Sequence, residues 1–167
     1  MQPDLILKNA NIANGQTGVD IACQNGKIVE IASHIDVPAV EVLDCGGMLV
    51  SPPFVDSHFH MDATLSLGLP RMNESGTLLE GIALWGELKP LLTPEAVIER
   101  ALKYCDLAVS KGLLAIRTHV DVCDDRLLAV DALLEVKKQV APYIDLQLVA
   151  FPQDGYLRSP TAKENTI

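Results

Sequence analysis

The spacing of apolar residues changes near residue 52. Before that point, short runs rich in Val, Ile and Leu predict β-strands: DLILKNANI, GVDIACQN, KIVEIA, VEVLD and MLV. Turn dipeptides separate them, at Asn14-Gly15, Asn25-Gly26 and Gly46-Gly47. Asn25-Gly26 between two such runs predicts a two-residue hairpin. Residues 1–51 are therefore predicted to form a small antiparallel sheet or half of a β-sandwich.

From residue 52 onward the pattern alternates between strands and helices. FVDSH, LLAIRTHVDV and IDLQLVAF predict strands. Predicted helices cover TLLEGIALWGELK, a segment beginning at Thr93-Pro94, and a segment from Asp124-Asp125 to Lys137-Lys138. The last two should bury residues at helical spacing, namely Val97, Ala101, Cys105 and Ala108, then Ala129, Leu133, Val136 and Val140. This order predicts a parallel sheet covered by helices.

Composition excludes several function classes. The 167 residues are 49% apolar and 21% charged, with a net charge of −9 and no basic stripe. Such a chain is a poor candidate for binding nucleic acid or an anionic membrane. No apolar run approaches the ~18 residues of a membrane span, and no secretory signal is visible. Four scattered cysteines without a C-x-x-C motif indicate reduced thiols in a cytoplasmic protein.

The candidate chemistry begins at the first strand of the second part, FVDSHFHMD. Side chains two residues apart on a strand share a face, so His58 and His60 should project together. Asp56 and Asp62 would join them if the strand extended to residue 62. Two imidazoles at the carboxyl end of a parallel strand can share one metal ion, and active sites of α/β barrels lie at that end. By itself, an H-x-H pair is also compatible with a structural role.

Longer segments carry a family resemblance. The run FVDSHFHMDATLSLGLPRMNESGTLLEGI, followed by RTHVDV and APYIDLQLVAFPQDG, resembles the amidohydrolase superfamily and, within it, the bacterial cytosine deaminase branch. The H-x-H pair is typical of the superfamily. The ordered segments SGTLLEGI, RTHVDV and AFPQDG are specific to the branch. The similarity extends over nearly the whole chain.

This resemblance implies a fold, a cofactor and an activity. The fold is α/β: the N-terminal part of a metal-dependent (β/α)8 (TIM) barrel, with residues 1–51 as a small β-sandwich segment and residues 52–167 as the first three β/α units. His58 and His60 would be ligands of one divalent metal ion, iron or zinc, and Gln153 would contact the pyrimidine ring. The implied activity is hydrolytic deamination of a free amino-substituted pyrimidine, such as cytosine or isocytosine, with release of ammonia.

The chain also departs from the family pattern. Residues 52–167 are fewer than half of the ~250 that a complete barrel takes. The only other histidines are His34 and His119, whereas family members complete the site with residues of later strands. We therefore expect an N-terminal fragment that is inactive alone, with its proton-transfer residues beyond this chain. Its partners would be the small pyrimidine-like substrate and either the missing C-terminal portion or further copies of itself.

Several assignments stay open from the sequence. Arg117, His119 and Asp121 share a strand face and either reach the outer part of the site or form structural hydrogen bonds. Trp85 and the Leu78–Leu84 cluster either wall a ring pocket or lie in the core, and helical spacing favours the core. Cys123 is expected to be inert. The rival functions are an amidohydrolase acting on a cyclic amide or an aminotriazine, and a non-enzymatic truncated half-barrel.

Overall fold

The computed structural model describes residues 2–167 and divides into two compact units, one ending at Pro52 and one spanning Pro53–Ile167. In the described part of the chain, no helix combines the length and the apolar character needed to cross a membrane. The first unit contains strands only, and the second alternates strands with helices.

The N-terminal unit is one five-stranded sheet. Its strands are β1 (Leu5–Ile12), β2 (Val19–Gln24), β3 (Lys27–Ala32), β4 (Glu41–Asp44) and β5 (Leu49–Val50). The order is β3-β2-β1-β4, and β5 also pairs with β1. Apolar residues pack on the sheet in two clusters, one around Ile21 and one around Ile6.

The predicted antiparallel pairing holds only for part of this sheet. β1 pairs with β2, and β2 with β3, in antiparallel register, and the hairpin turn at Asn25-Gly26 has the positive φ angles of 52° and 71° that such turns need. β4 and β5, however, run parallel to β1. Residues 33–40 cause the difference, because they carry the chain from the β3 edge to the far side of β1 before β4 begins.

The second unit is a parallel sheet in the order β6-β7-β8, formed by Phe54–Phe59, Leu113–Asp121 and Asp145–Phe151. The helices are α1 (Leu78–Leu88), α2 (Pro94–Val109), α3 (Leu128–Val140) and the short α4 (Ala162–Asn165). Single 3₁₀ turns lie at Met61–Ala63 and Lys89–Leu91. This is the strand–helix alternation of the first three units of a barrel, and it confirms the predicted fold class.

Helix α2 begins where its sequence predicts. The Thr93 hydroxyl accepts a hydrogen bond from the backbone N–H of Ala96 at 3.3 Å, and Pro94 occupies the first turn. All eight predicted stripe residues of α2 and α3 are buried, and they pack with Ile116 and Leu146 of the sheet. The helices therefore cover one face of β6-β7-β8.

Helix α3 begins at Leu128, after the predicted start at Asp124-Asp125. Asp124 does not cap it, because its carboxylate accepts hydrogen bonds from the backbone N–H of Arg126 at 3.1 Å and from the same residue's guanidinium at 2.9 and 2.8 Å. Leu127 follows with a φ of 47°, which is not helical. A local turn thus replaces the predicted first turn of the helix.

Candidate active site

The side chains of His58, in β6, and His60, directly after it, do project together, but β6 is irregular. The register of β6 against β7 shifts between Asp56 and Phe59. Before the shift, Val55 and Ser57 lie on the open face of the sheet, the face that α2 and α3 do not cover. After the shift, His58 and His60 lie on that face. The expectation that Asp56 shares the histidine face is therefore wrong. Its carboxylate instead accepts a hydrogen bond from the backbone N–H of His58 at 3.1 Å.

Three imidazoles and one phenyl ring cluster at the carboxyl ends of the strands. His58 and His60 have ring centroids 5.4 Å apart, and His119 of β7 lies 3.9 Å from His58 and 5.9 Å from His60. Phe151, the last residue of β8, has its ring centroid 5.1 Å from that of His60. Each of the three strands thus contributes to one aromatic group, and sequence reasoning did not identify Phe151 as a member.

The protonation of His60 and His119 suits metal ligation. Burial lowers the pKa of His60, and the neighbouring His58 lowers it further. Burial also lowers the pKa of His119, again assisted by the other two imidazoles. His60 and His119 are consequently neutral at pH 7, which is the form in which an imidazole binds a metal ion. The Nδ1 atom of His119 is buried and has no hydrogen-bond partner among residues 2–167.

These residues fit half of a metal site. His58 and His60 are neighbouring imidazoles on an open face, and a buried ring nitrogen without a partner lies beside them. Across residues 2–167, however, no three His, Cys, Asp or Glu side chains form a group that could hold a metal ion. The described residues place two imidazoles, a side-chain type that binds metal ions, next to each other, and a stable site would need more ligands.

Asp62 does not lie on a continuation of β6. β6 ends at Phe59, and Asp62 falls in the following 3₁₀ turn with only 2% of its surface exposed. Its carboxylate accepts hydrogen bonds from the backbone N–H groups of Asp121, at 2.9 Å, and Ala63, at 3.0 Å. Burial raises the pKa of Asp62 to about 6, although these N–H groups oppose the rise. The side chain therefore joins the turn after β6 to the end of β7.

Asp121 is the centre of a second buried group. Its carboxylate accepts hydrogen bonds from Trp85 Nε1 at 2.7 Å and from the backbone N–H of Cys123 at 2.8 Å, and Lys89 Nζ lies 2.8 Å away. Burial alone would raise the pKa of Asp121, but the Lys89 ammonium and these donors hold it below its ordinary value. Asp121 is thus a charged anchor that fixes the indole of Trp85.

A cleft of about 260 Å³ opens beside the histidine cluster. His60 and Gln153 both line it, and Trp85 of α1 is a third wall residue. Leu78, predicted to lie in the core, also lines it and is 80% exposed. The three α1 residues that line the cleft, Leu78, Ile82 and Trp85, repeat at helical spacing. In the sequence, this pattern is the same as that of residues buried in a core.

The remaining candidates lie apart from the cleft. Arg117 donates a hydrogen bond from Nε to Gln147 Oε1 at 2.7 Å, nearer the start of the strands.

All four cysteines are free, and burial raises the pKa of the Cys123 thiol. A raised pKa reduces the thiolate fraction, in agreement with the expected inertness of Cys123.

Comparison with known proteins places this arrangement in a family. The amidohydrolase family profile matches residues 41–166. The crystal structure of 5-methylcytosine deaminase from Klebsiella pneumoniae, liganded with 5-fluorocytosine, is 41% identical with a TM-score of 0.88. That similarity covers 96% of this chain and 39% of the other.

Two further proteins that this chain resembles are named for action on N-isopropylammelide. N-isopropylammelide isopropyl amidohydrolase of Pseudomonas sp. (strain ADP) is 34% identical over 158 residues, which are 92% of this chain and 39% of that protein. N-isopropylammelide isopropylaminohydrolase of Burkholderia multivorans has the same fold, with a TM-score of 0.80, 23% identity, and coverage of 99% of this chain and 41% of its own. This chain therefore spans about two fifths of the length of these relatives. The family match over most of the chain shows that it belongs to the amidohydrolase family.

Proposed function

We propose that the full-length protein is a metal-dependent hydrolytic deaminase of a free amino-substituted pyrimidine, such as cytosine, 5-methylcytosine or isocytosine. The observation that carries this proposal is the cleft shared by His60, Gln153 and Trp85. The cleft places one predicted metal ligand beside an amide and a flat aromatic wall. The 41% identity to a 5-methylcytosine deaminase supports the choice of ring.

Each side chain has a role in this proposal. His58 and His60 would hold the divalent ion, iron or zinc, as two of its ligands. Such an ion supplies the Lewis acidity that activates water for hydrolysis. Gln153 has both an amide donor and a carbonyl acceptor, so it can pair with a pyrimidine edge that presents one acceptor and one donor. Trp85 presents an indole held in place by Asp121. We propose that later strands of the full-length protein supply the remaining ligands and the proton-transfer residues.

The outcome of the reaction follows from the substrate's own atoms. Water adds to the ring carbon that bears the exocyclic amine, and the carbon–nitrogen bond to that amine breaks. The products are ammonia and the corresponding ring carbonyl compound. A neutral ring with no phosphate or charged tail also suits a cleft whose described lining includes no lysine or arginine.

A second candidate is removal of an alkylamine from an aminotriazine. The observation favouring it is the 34% identity, over 92% of this chain, to a protein named for action on N-isopropylammelide. The two reactions share the same bond cleavage and differ in the leaving amine. Hydrolysis of a cyclic amide, the further amidohydrolase alternative, would open the ring and release no amine at first turnover.

Amine release separates these candidates. The full-length protein, loaded separately with iron and with zinc, is incubated with cytosine, 5-methylcytosine, isocytosine, N-isopropylammelide and dihydrouracil as a cyclic amide. The proposal predicts ammonia from an aminopyrimidine at the highest kcat/KM. Isopropylamine as the preferred product would transfer the assignment to the triazine reaction, and preferred ring opening would transfer it to cyclic amides. No turnover with any substrate would favour the non-enzymatic reading.

A further inference from the structure

Lys89 joins two parts of the cleft that are far apart in sequence. It follows directly after α1, and its side chain is only 12% exposed. Its ammonium lies 2.8 Å from Asp121 Oδ2 and 2.8 Å from Asp154 Oδ2. Asp121 ends β7, whereas Asp154 belongs to the turn after β8. One cation therefore links the ends of two neighbouring strands.

Both anions are connected to residues that line the cleft. Asp121 accepts the hydrogen bond of Trp85 Nε1 through the same oxygen that faces Lys89. Asp154 directly follows Gln153, so holding its carboxylate restrains the position of the Gln153 backbone. Trp85 and Gln153 both line the cleft, and Lys89 does not. Lys89 thus contacts Asp121 and Asp154, which hold residues of the cleft, and does not line the cleft itself.

The backbone of Lys89 is also fixed. Its carbonyl oxygen accepts a hydrogen bond from the guanidinium of Arg126 at 2.7 Å. Lys89 is the first residue of the 3₁₀ turn Lys89–Leu91, in which Pro90 restricts the backbone. The ammonium is accordingly presented from a rigid segment, which is a requirement for a residue that positions others.

We propose that Lys89 is a positioning residue for ring binding, which clamps Asp121 and Asp154 so that Trp85 and Gln153 keep their places in the cleft. This inference rests on the proposed function for its substrate, an aminopyrimidine ring. A merely structural ion pair would stabilise the fold without affecting ring affinity. The clamp instead predicts that loss of either contact to Lys89 weakens ring binding while the metal stays in place.

The test uses the full-length protein with three variants, Lys89→Met, Asp154→Asn and the double variant. Methionine retains most of the apolar stem of lysine and removes its charge. Asp154→Asn is the safer variant for folding, because Asp154 is 44% exposed and Asp121 keeps its lysine. Lys138→Met is the matched control, since that lysine is 75% exposed and pairs with Glu135 on the same helix, α3.

Two readouts are measured, the KM and kcat for cytosine and the backbone hydrogen exchange of residues 152–159. For Lys89→Met and Asp154→Asn we expect a KM about tenfold higher, with unchanged metal content and faster exchange in that segment. Because both variants break the same link, the double variant should be no worse than Lys89→Met. Lys138→Met should match the wild type.

Three results would overturn the clamp. An unchanged KM in both single variants, with only reduced stability, would make the ion pairs structural. Effects that simply add in the double variant would show that Lys89 and Asp154 act separately. Unchanged exchange at residues 152–159 in Lys89→Met would show that the turn is held by other contacts. If the wild type converts no aminopyrimidine, the proposed function fails, and the exchange measurement still decides whether Lys89 holds the turn.

Discussion

His119 lies against His58 with ring centroids 3.9 Å apart and ring planes 23° from parallel. The two residues belong to β7 and β6, so the contact orients a predicted metal ligand from the neighbouring strand. His119 is itself packed beside Phe151 of β8, at 5.7 Å between centroids. The sheet therefore supports the exposed His58 ring through a row of aromatic side chains.

This contact predicts a role for His119 in metal affinity. His119→Ala removes the ring that restrains His58, so we expect the full-length protein to bind zinc about tenfold more weakly. His119→Phe keeps a planar ring in the same place and should retain most of the affinity. Competition with a chromogenic chelator measures both variants. Equal losses in the two variants would show that stacking is not the cause.

Gln153 should affect the ring and not the metal. Gln153→Leu removes both hydrogen-bonding atoms, and we expect kcat/KM for cytosine to fall about 10- to 100-fold, as when buried polar groups lose their partners. The metal content should not change. Gln147→Leu is the control, because Gln147 lies within β8, bonds to Arg117 and does not line the cleft. A similar loss in both variants would remove the specific role of Gln153.

The packing of α3 gives a prediction about stability. Leu133 is completely buried between the helices and the sheet, so Leu133→Ala should lower the free energy of unfolding by about 2–5 kcal/mol. Leu134 is adjacent in sequence but 45% exposed. Leu134→Ala should therefore change the free energy of unfolding by less than about 0.5 kcal/mol. Urea unfolding compares the two. Equal effects would contradict the described orientation of α3.

Asp20 of β2 gives a prediction about pH. Burial by itself would raise its pKa, but the Lys8 ammonium at 2.8 Å and the backbone N–H groups of Ile35 and Asn9 lower it from 3.8 to about 2. A carboxylate with a lowered pKa stabilises the fold above its ordinary pKa, and the stabilisation is lost as the pH falls. The contribution of the Asp20 carboxylate to the free energy of unfolding should therefore disappear as the pH falls from about 4 to about 2.

Urea unfolding at pH 6 and pH 3 tests this dependence in the wild type and in Asp20→Asn. The wild type should be the more stable at pH 6, and its advantage should shrink at pH 3. Asp36→Asn, an exposed position in the same unit, should show little change at either pH. A difference between wild type and Asp20→Asn that does not vary with pH would refute the prediction.

Local sequence patterns were sufficient for much of the fold. Helix α2 was predictable because its cap, its proline and its buried stripe are all encoded within a few residues of one another. Helix α3 was misplaced at its start, because Asp124 resembles a helix cap in sequence but bonds to Arg126 instead. The turn that replaces the cap depends on the side chain of Arg126, two residues after Asp124. The sequence of charges is the same whether Asp124 caps the helix or bonds to Arg126.

The site was predictable only where a short motif carries it. The H-x-H spacing predicts that the side chains of His58 and His60 project together. The register shift before them, which turns Asp56 away, has no signature in the sequence. Helical spacing predicts core positions for Leu78 and Trp85, but Leu78 is exposed and Trp85 both packs against the core and lines the cleft. A cleft lining and a core stripe have the same helical period, so spacing does not separate them. The link from Lys89 to Asp154 spans 65 residues, so no local pattern could reveal it.

In the proposed function, His58 and His60 hold a metal ion that deamination requires. Metal content and ammonia release from cytosine, measured together in the full-length wild type and in His60→Ala, test it most directly. His34→Ala is the control, because His34 lies in the N-terminal unit with its side chain 73% exposed. We predict that His60→Ala loses metal and ammonia release together, while His34→Ala retains both. Full metal occupancy or wild-type ammonia release in His60→Ala would contradict the claim.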